Sequence, residues 1–416
     1  MTSQPSPFEH DTDVVVVGAG MVGATCATAL LQAGFSCVLV ERTPPVPMDL
    51  TVPPGIRVSA LNRASERVLR HIGAWDHIAT HRAAPFRRMA VWEDDDGAET
   101  VFDAAEVAEP HLGHIVENNL IQEAALAAYD RAGGVLLCPA AVARFDRDGS
   151  YTHVTLDDGT RVRTRVLVAA DGARSTLRGL AGIDAPGATY DQHALVATVA
   201  TTLGQQDITW QRFQPSGPEA MLPLTGNRAS LVWYHSPARV AELRALDEAD
   251  FIDVLLDTFP ARLGGVEAVI ERSSFPLTRA HAERYVQAGF ALIGDAAHSV
   301  HPLAGQGVNL GFMDAAALVD VLVDARAQHR DIGAERVLRR YQRWRRGENT
   351  LMSEVLHGFQ RGFESRAPGV VLARRLLLSS GARVHPARHL ACRYAMGLAG
   401  DLPTRARADD RTPASA

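Results

Sequence analysis

The chain has 416 residues, a formal net charge of −6 and 42 basic residues, all of which are Arg. Because Lys is absent, the protein cannot form a Lys Schiff base, use a P-loop Lys or use Lys as a general base. The sequence has no run of ~18 uncharged apolar residues and no leader pattern at its polar start. We therefore expect neither a membrane-spanning helix nor a targeting segment.

The remaining totals favour a folded cytoplasmic protein. Hydrophobic residues make up 46% of the chain and charged residues 22%, and the length suits two or three structural units. The four Cys residues show no CxxC spacing, and three of them lie in apolar runs. We therefore expect buried free thiols in a reducing compartment.

The N-terminal segment predicts a nucleotide-binding βαβ unit. A β-branched strand at Asp13–Val17 leads into the turn Gly18-Ala-Gly-Met-Val-Gly23, and an Ala-rich helix follows as far as Ala33. A second strand, Cys37–Val40, ends at Glu41. A glycine motif with a strand before it, a helix after it and an acidic residue at this distance is typical of NAD- and FAD-binding sites.

Each residue of this motif has a physical role. Gly18 permits the tight turn, Gly20 lets the backbone approach a pyrophosphate at the helix N-terminus, and Gly23 allows close packing of helix and strand. Glu41 can accept hydrogen bonds from ribose hydroxyls, and the adjacent Arg42 is a further candidate for cofactor binding. The motif alone leaves NAD and FAD open.

The middle of the chain reads as β-rich. A Pro-rich loop spans Thr43–Gly55, and two Asp-Gly turns bracket a hairpin with strands at Thr152–Leu156 and Arg161–Ala169. Residues 190–278 form several apolar strand patterns around one helical stretch. From Val308 onward the pattern is helical, with sixteen Arg and six acidic residues over 330–407.

Two further motifs accompany the first. One strand ends at Asp171-Gly172, and another, Phe290–Ile293, runs into Gly294-Asp295 and then the glycine-rich stretch Gly305-Gln-Gly-Val-Asn309 before a helix. Together with the first motif, these segments resemble the class A flavoprotein aromatic hydroxylases over about residues 10–400. The combination selects FAD as the nucleotide.

The resemblance implies an α/β fold, with a Rossmann-like FAD-binding domain of the glutathione reductase type, an inserted β-sheet substrate domain and a helical C-terminal region. The implied boundaries are 10–75, 100–185 and 276–330 for the FAD domain, 76–99 and 186–275 for the substrate domain, 331–403 for the helical region and 404–416 for a disordered tail.

The resemblance also assigns residues to FAD. Asp295 is expected to bind the ribityl chain, and the backbone N–H groups of the 305–309 loop are expected to face the flavin pyrimidine ring, where the helix N-terminus stabilises negative charge. The full set is Gly18, Gly20, Gly23, Glu41, Arg42, Arg57, Asn118, Gln122, Asp171, Gly172, Asp295, Pro302, Gly305, Gly307, Val308 and Asn309.

The chemistry implied by the resemblance is the insertion of one oxygen atom from O2 into an electron-rich ring through a flavin C4a-hydroperoxide, with NAD(P)H or another reductant as electron donor. His298 is a candidate for deprotonating a phenolic substrate, or alternatively a loop His that holds backbone. Pro302 could offer its carbonyl to a substrate hydroxyl. The apolar candidates for the substrate pocket, each also readable as ordinary core, are Phe213, Met221, Pro223 and Trp233.

The GQGVN loop and the segments at 55–75 and 113–122 resemble the ubiquinone-biosynthesis hydroxylases. Within that branch, segments at 85–93, 210–224 and 276–298 resemble the bacterial 3-demethoxyubiquinol 3-hydroxylases, which implies a late hydroxylation of a polyprenylated quinol. Three alternatives stay open: an earlier ring hydroxylation at C5 or C1 in the same pathway, tailoring of a soluble aromatic, and a non-catalytic flavin-binding subunit.

Two His pairs, His298 with His301 and His111 with His114, have spacings that could suit a metal, but no carboxylate or Cys completes either set in the sequence. We therefore expect no metal site. A polyprenyl substrate instead implies contact with the inner membrane surface, or with lipid-binding proteins of a biosynthetic complex. The Arg-rich C-terminal helices and the apolar stripe Val370–Leu378 are the candidate surface for this contact. We expect no nucleic-acid partner, and a homo-oligomer stays open.

Overall fold

Two large β-sheets, with helices on their faces, form the framework of the molecule. The structure is a computed structural model, and it describes residues 8–93, 99–204, 206–259, 262, 264–300, 305–364 and 385–408. Its helices are α1 (Met21–Gln32), α2 (Arg63–His71), α3 (Trp75–His81), α4 (Asn118–Arg131), α5 (Thr176–Leu180), α6 (Pro237–Ala245), α7 (Glu248–Thr258), α8 (Gln306–Ala327), α9 (Glu335–Glu364) and α10 (His385–Ala395).

The strands follow the apolar and β-branched runs of the sequence. They are β1 (His10–Val17), β2 (Cys37–Val40), β3 (Val58–Asn62), β4 (Ala83–Phe86), β5 (Arg88–Trp92), β6 (Thr100–Asp103), β7 (Gly113–Glu117), β8 (Val135–Leu137), β9 (Val142–Asp148), β10 (Tyr151–Leu156), β11 (Arg161–Ala169), β12 (Gly187–Thr201), β13 (Ile208–Gln214), β14 (Gly217–Leu224), β15 (Arg228–His235), β16 (Val266–His281), β17 (Val286–Gln287), β18 (Phe290–Leu292) and β19 (His298–Ser299).

The first sheet has the order β17-β18-β11-β1-β2-β8, and the hairpin strands β9 and β10 attach to β11. Strands β18, β11, β1, β2 and β8 run parallel to one another. The valines of β1 are almost completely buried because helices cover a parallel sheet on both faces. The predicted α/β architecture and the predicted 152–169 hairpin are confirmed.

The second sheet has the order β19-β16-β12-β15-β14-β13-β5-β6 and is antiparallel except between β13 and β5. Helices α6 and α7 pack against one of its faces, which we call the outer face. The opposite, inner face lies against the start of α8 and the second half of α9. The substrate cleft predicted from the sequence would therefore open on the inner face.

The sheets correct three of the predicted domain boundaries. Strand β4 pairs with β7, which also pairs with β3, in a small sheet between the two large ones, so residues 83–86 lie outside the second sheet. Strand β6, predicted with the first sheet, pairs with β5 in the second. Strand β16 extends the second sheet to His281 rather than 275. Strand periodicity identifies strands but not their pairing partners, which explains these errors.

The predicted disorder from residue 404 is wrong for the described part of that tail. Residues Thr404–Ala406 form a 3₁₀ turn, and Ala406 is completely buried in the main core. The backbone N–H of Thr404 donates to Asp320 of α8 at 2.7 Å, and Arg405 pairs with the same carboxylate at 3.2 Å. A buried Ala and an ion pair therefore fasten a segment whose composition alone indicated disorder.

The predicted apolar stripe 370–378 lies outside the described residues. Among the helices that the structure does describe, none is both long enough and apolar enough to cross a membrane.

Candidate cofactor and active site

Four neighbouring parallel strands end at the same edge of the first sheet, and each end leads into a residue predicted to bind the cofactor. Strand β18 leads to Gly294-Asp295, β11 to Asp171, β1 to Gly18 and β2 to Glu41. Ligands of open α/β sheets bind beyond the carboxyl ends of the strands. The sheet order therefore gathers residues that are far apart in the chain into one row.

The first glycine turn fits its surroundings with no room for side chains at two positions. Gly18 has φ +104°, and a Cβ there would lie 2.3 Å from the carbonyl oxygen of Ala170. A Cβ on Gly23 would lie 1.9 Å from the carbonyl oxygen of Gly18. A Cβ on Gly20, in contrast, would meet no atom within 4 Å. Gly20 therefore borders open space at the N-terminus of α1.

The tip of this turn is held from both sides by side chains. The carboxylate of Glu41 accepts a hydrogen bond from the N–H of Ala19 at 2.7 Å. The amide of Gln122, on α4, donates to the carbonyl of Ala19 at 2.8 Å. The neighbouring Arg42 is exposed. Both Glu41 and Gln122 therefore border the turn where the sequence placed them.

Asp171 shapes the turn that follows β11. Its carboxylate accepts hydrogen bonds from the Ser175 hydroxyl at 2.5 Å and from the backbone N–H of Leu177 at 3.1 Å. The next residue, Gly172, has φ +82°, a conformation that favours glycine. Asp171 thus organises the start of α5 through the hydrogen bonds of its carboxylate.

The Gly294–Asp295 turn lies against the first glycine turn. A Cβ on Gly294 would lie 3.3 Å from the side chain of Val22 in α1. The side chain of Asp295 reaches solvent, yet the protein atoms packed around it raise the pKa of its carboxyl above the ordinary value. Gly307 lies beside Asp295, since a Cβ on this glycine would lie 3.9 Å from Asp295 Oδ1. The Gly294–Asp295 turn and the Gly305–Asn309 loop thus meet.

The second glycine-rich loop begins α8 and is pinned onto β3 by one side chain. Gly305 adopts the left-handed conformation, φ +62°, at the helix N-cap. The Asn309 side chain accepts hydrogen bonds from the Ser65 hydroxyl at 2.7 Å and the Asn62 N–H at 3.1 Å, and it donates to the Ala60 carbonyl at 2.9 Å. The Asn309 side chain therefore holds the loop. Val308 is half-buried against the main core.

Arg57 and Asn118 lie on adjoining backbone across the small sheet. The N–H of Asn118 donates to the carbonyl of Arg57 at 2.9 Å, and the Ser59 hydroxyl donates to Asn118 Oδ1 at 2.6 Å. The guanidinium carbon of Arg57 lies 4.8 Å from the centre of the Phe275 ring in β16. Arg57 therefore spans from the small sheet to the second sheet.

His298 is placed differently from the sequence interpretation as a base. Its side chain is completely buried, and its Nε2 lies 2.5 Å from Asp314 Oδ2. A proton-transferring group must come within hydrogen-bond reach of the substrate, so burial favours the alternative interpretation of a structural His. His301 and Pro302 lie outside the described residues.

Three of the four predicted substrate-contacting residues lie on the outer face of the second sheet. Met221 and Trp233 belong to the apolar core between the outer face and helices α6 and α7. Pro223 pairs with Ala229, which belongs to the same core, so it shares that face. Phe213 alone lies on the inner face, where its ring stacks on Phe363 at a centroid distance of 4.0 Å. The positions of Met221, Pro223 and Trp233 therefore fit the alternative interpretation of ordinary core.

The inner face carries apolar residues that the sequence interpretation missed. They cluster with Val300 and Leu310, which flank the second glycine-rich loop, and with residues of α9. The missed residues are Met89, Val91 and Phe102 on the sheet, beside the predicted Phe213, and Met352, Leu356 and Phe363 on α9. Alternation along β13, β14 and β15 separates the two faces, but it does not say which face meets the cofactor loop.

The His111–His114 pair lies beside Glu66, and ligand atoms of the three side chains come within 4.8 Å of one another. The guanidinium of Arg63 lies among them, 2.5 Å from Glu66 and 2.8 Å from His111. Burial would raise the pKa of Glu66, but the hydrogen bond from His111, the nearby His114 ring and the Arg63 charge hold it below its ordinary value. The Arg63 guanidinium already lies among these side chains, so we interpret the cluster as an ionic network and not as a metal site.

The arrangement at the strand ends fits FAD. Helices α1 and α8 both begin with a glycine N-cap and no side-chain capping bond, so their N–H groups are available to anions. Gly20 leaves open space at one of these N-termini, and the carboxylates of Glu41 and Asp295 lie at flanking strand ends. The helix N–H groups can donate to the phosphates of FAD, and the two carboxylates can accept hydrogen bonds from its ribose and ribityl hydroxyls.

Comparison with known proteins agrees with this geometry. The FAD binding domain family model matches residues 11–351. The 3-demethoxyubiquinol 3-hydroxylase of Escherichia coli (strain K12) is 40% identical over 399 residues, which cover 96% of this chain and 100% of the relative. Ubiquinone hydroxylase UbiL of Rhodospirillum rubrum is 38% identical, with 92% and 89% covered. The solved structure of PqsL from P. aeruginosa in complex with 2-aminobenzoylacetate aligns with a TM-score of 0.75 at 25% identity, covering 86% of this chain and 98% of that one.

Proposed function

The chain belongs to the FAD binding domain family and to the FAD-dependent hydroxylases of ubiquinone biosynthesis, and from this premise we propose that it hydroxylates the ring of 3-demethoxyubiquinol. The observation that carries the proposal is the match that extends over the whole length of the E. coli 3-demethoxyubiquinol 3-hydroxylase. The earlier ring hydroxylations of the same pathway are the second candidate, because UbiL is nearly as similar.

The inner face supports a substrate that combines a ring with an isoprenoid chain. Phe213 stacks there on Phe363 of α9, and Leu356, also on α9, continues the apolar surface. Val300 and Leu310 join this surface to the second glycine-rich loop. An apolar wall next to the cofactor segment would bind the chain by burial, at about 25 cal/mol for each Å² removed from water, and would exclude water from the ring.

We assign the cofactor roles to the residues gathered at the strand ends. Bound FAD supplies the activation of O2 and the transfer of one oxygen atom, with NAD(P)H or another reductant as donor. The N-termini of α1 and α8 would stabilise negative charge on its pyrophosphate and on its reduced ring. Glu41 would bind the ribose and Asp295 the ribityl hydroxyls.

The two large sheets divide this work in our proposal. The first sheet, with α1, α4 and α8, forms the cofactor domain, and the second sheet, with α6 and α7, forms the substrate domain. The small sheet β3-β7-β4 lies between them and carries Arg57 next to Phe275. The proposed active site is the space between the inner face and the second glycine-rich loop.

We also propose that the protein meets the inner membrane surface through α9. The exposed side of this helix carries Arg336, Arg339, Arg343 and Arg346 at helical spacing, followed by Leu351 and Val355, which are 54% and 40% exposed. Cationic side chains bind anionic headgroups, and adjacent apolar residues enter the interface. A polyprenylated quinol lies in the bilayer, so an enzyme that acts on it needs such a surface or a lipid-binding partner to reach it.

The deciding experiment for the reaction is mass spectrometry of the quinones that accumulate when the gene is deleted. Accumulated 3-demethoxyubiquinol, cleared by the wild-type gene, supports the proposal, and accumulated earlier prenylphenols support the second candidate. Unchanged ubiquinone in a strain without another such hydroxylase would refute both and favour a soluble aromatic substrate. Product formation by the purified holoprotein would exclude a non-catalytic subunit.

The membrane proposal is tested by flotation with vesicles that contain about one-quarter anionic lipid. Arg343→Gln/Arg346→Gln should reduce the bound fraction several-fold, because each basic residue near an anionic surface contributes roughly 1 kcal/mol. The control is Arg144→Gln/Arg161→Gln, which removes two exposed Arg residues from the first sheet. Equal binding by both double variants would refute α9 as the contact.

A further inference from the structure

Asp314 is a buried carboxylate in the middle of α8, and it bonds three separate segments of the chain. Its Oδ2 accepts hydrogen bonds from the N–H of Gly294 at 3.1 Å and from His298 Nε2 at 2.5 Å. Its Oδ1 accepts from Arg345 Nε at 2.9 Å and from Asn349 Nδ2 at 3.0 Å. Each oxygen therefore serves one side: Oδ2 the cofactor turn and Oδ1 helix α9.

This group would be unfavourable in the core without those partners. Its side chain and that of His298 are 0% exposed, and the Arg345 side chain is 2% exposed. Burial alone would raise the pKa of Asp314, but His298, Arg345 and Asn349 together lower it to about 2. The carboxylate is therefore held in its charged form, and the four hydrogen bonds depend on it.

The two sides of this carboxylate lead to different parts of the proposed active site. Gly294 starts the turn that carries Asp295, the proposed ribityl ligand, on the very next residue. Arg345 and Asn349 lie on α9 about two to five turns before Leu356 and Phe363, which contact Phe213 and the residues flanking the second glycine-rich loop. One carboxylate thus stands between the cofactor turn and the helix that covers the inner face.

The Asn349 amide extends the network from α9 to the segment that follows β16. Its Nδ2 also lies 3.4 Å from the Tyr285 hydroxyl, which lies 2.9 Å from His281 Nε2 at the end of β16. His281 pairs with His298 across the β16–β19 ladder. The network therefore closes into a ring that joins α8, α9, the second sheet and the cofactor turn.

We propose that Asp314 is a positioning residue that sets the Gly294–Asp295 turn and helix α9 in register, so that one buried group aligns the cofactor ligand with the wall of the substrate pocket. The proposal rests on the proposed function for the identity of that pocket. Neither His298 nor Asp314 touches the substrate in this account, and the role of His298 is to hold Asp314 Oδ2 and the turn.

The test compares Asn349→Leu and Asp314→Asn with Arg340→Gln. Asn349→Leu removes one of the two hydrogen bonds between α9 and Asp314 and leaves the Arg345–Asp314 ion pair in place, whereas Asp314→Asn removes the shared charge. Arg340→Gln breaks a different ion pair between α9 and α8, Arg340 with Asp324 at the surface, and serves as the control. The measurements are FAD affinity by fluorescence titration, the visible flavin spectrum, and KM and kcat with the quinol substrate.

We expect Asp314→Asn to weaken FAD binding about tenfold and to shift the flavin absorption bands. Asn349→Leu should raise KM about tenfold with a smaller change in FAD affinity, because it weakens only the contact of Asp314 with α9. If both variants keep the wild-type spectrum, affinity and KM while the melting temperature falls, Asp314 serves stability alone and the proposal is wrong. If Asp314→Asn does not fold, Asn349→Leu decides by the same criteria.

The flavin measurements separate this proposal from the proposed function, because they need no ring substrate. A wrong substrate assignment would leave the spectral shift and the loss of FAD affinity in Asp314→Asn intact. A wrong positioning role would leave both unchanged even if the quinone analysis identifies 3-demethoxyubiquinol as the substrate.

Discussion

The two glycine-rich segments that meet at the cleft are held in place by different means. The Gly18–Gly23 turn is held by backbone packing, since Cβ atoms at Gly18 and Gly23 would collide with carbonyl oxygens. The Gly294–Asp295 turn and the Gly305–Asn309 loop are held by buried side chains, with Asp314 bonded to Gly294 and Asn309 bonded to β3. The glycine positions of the first turn are visible in the sequence, whereas the side-chain bonds of the second exist only once distant elements have packed.

This difference predicts different failures. A backbone contact fails when any atom is added, because the turn has no space to yield. A buried polar network fails when a partner is removed, because the remaining charge or dipole is left without a hydrogen bond in a medium of low polarity. Substitutions in the backbone packing and in the buried polar network should therefore differ in size of effect, and they are given from the largest effect to the smallest.

The largest effect is expected from Arg345→Met, which leaves Asp314 without its buried cation. Removing one partner of a buried ion pair destabilises a protein by about 3–5 kcal/mol. Urea unfolding of the holoprotein measures the loss, and Arg340→Gln, at a surface pair, should lose no more than about 1 kcal/mol. Equal losses of unfolding free energy in the two variants would show that the buried pair stabilises the fold no more than a surface pair does.

The same variant should change the response to acid. Because the pKa of Asp314 is lowered to about 2 in the fold, its contribution to stability is complete above the ordinary carboxyl pKa of ~4 and is lost as pH falls toward 2. In Arg345→Met that pKa rises, so the acid-unfolding midpoint should move to higher pH. Circular dichroism against pH measures it, and an unmoved midpoint would argue against the charged network.

Gly23→Ala tests the backbone packing. Its Cβ would lie 1.9 Å from the Gly18 carbonyl oxygen, and overpacking of this kind is destabilising by up to about 3 kcal/mol. We expect little folded holoprotein. Gly20→Ala is the matched control, since its Cβ meets open space. It should keep the melting temperature of the apoprotein and weaken only FAD binding, and a large loss of stability in Gly20→Ala would contradict the packing argument.

Asp295→Asn tests how much the charge of the proposed ribityl ligand contributes to FAD binding. Hydrogen bonds to a charged group contribute about 1.5–3 kcal/mol, so FAD affinity should fall roughly thirtyfold. Titration of the apoprotein with FAD measures the change. Retention of full affinity and of the yellow holoprotein would remove Asp295 from the cofactor site.

Glu41→Gln is expected to have the smallest effect. The amide oxygen can still accept the hydrogen bond from the Ala19 N–H, so only the charge is lost and FAD affinity should fall about fivefold, or roughly 1 kcal/mol. The same titration measures it. A loss larger than that of Asp295→Asn would reverse the ranking of the two segments.

Much of the secondary structure and the first cofactor turn could be predicted from residue patterns. The strands at 13–17, 37–40 and 161–169, the hairpin and the glycine positions all follow from short-range rules, because β-branched runs, Asp-Gly turns and positive φ angles are properties of neighbouring residues. The pairing that brings the ends of four parallel strands to the same edge joins distant segments, so these rules do not give it.

Only the tertiary structure decided which surface of each element meets the cleft. Trp233 and Phe213 are equally apolar in sequence, yet helices α6 and α7 cover one and the cofactor loop approaches the other. The buried His298 pairs with Asp314 of α8, and the ordered turn at Thr404–Ala406 depends on Asp320. Such contacts join residues far apart in the chain, so no local pattern of the sequence contains them.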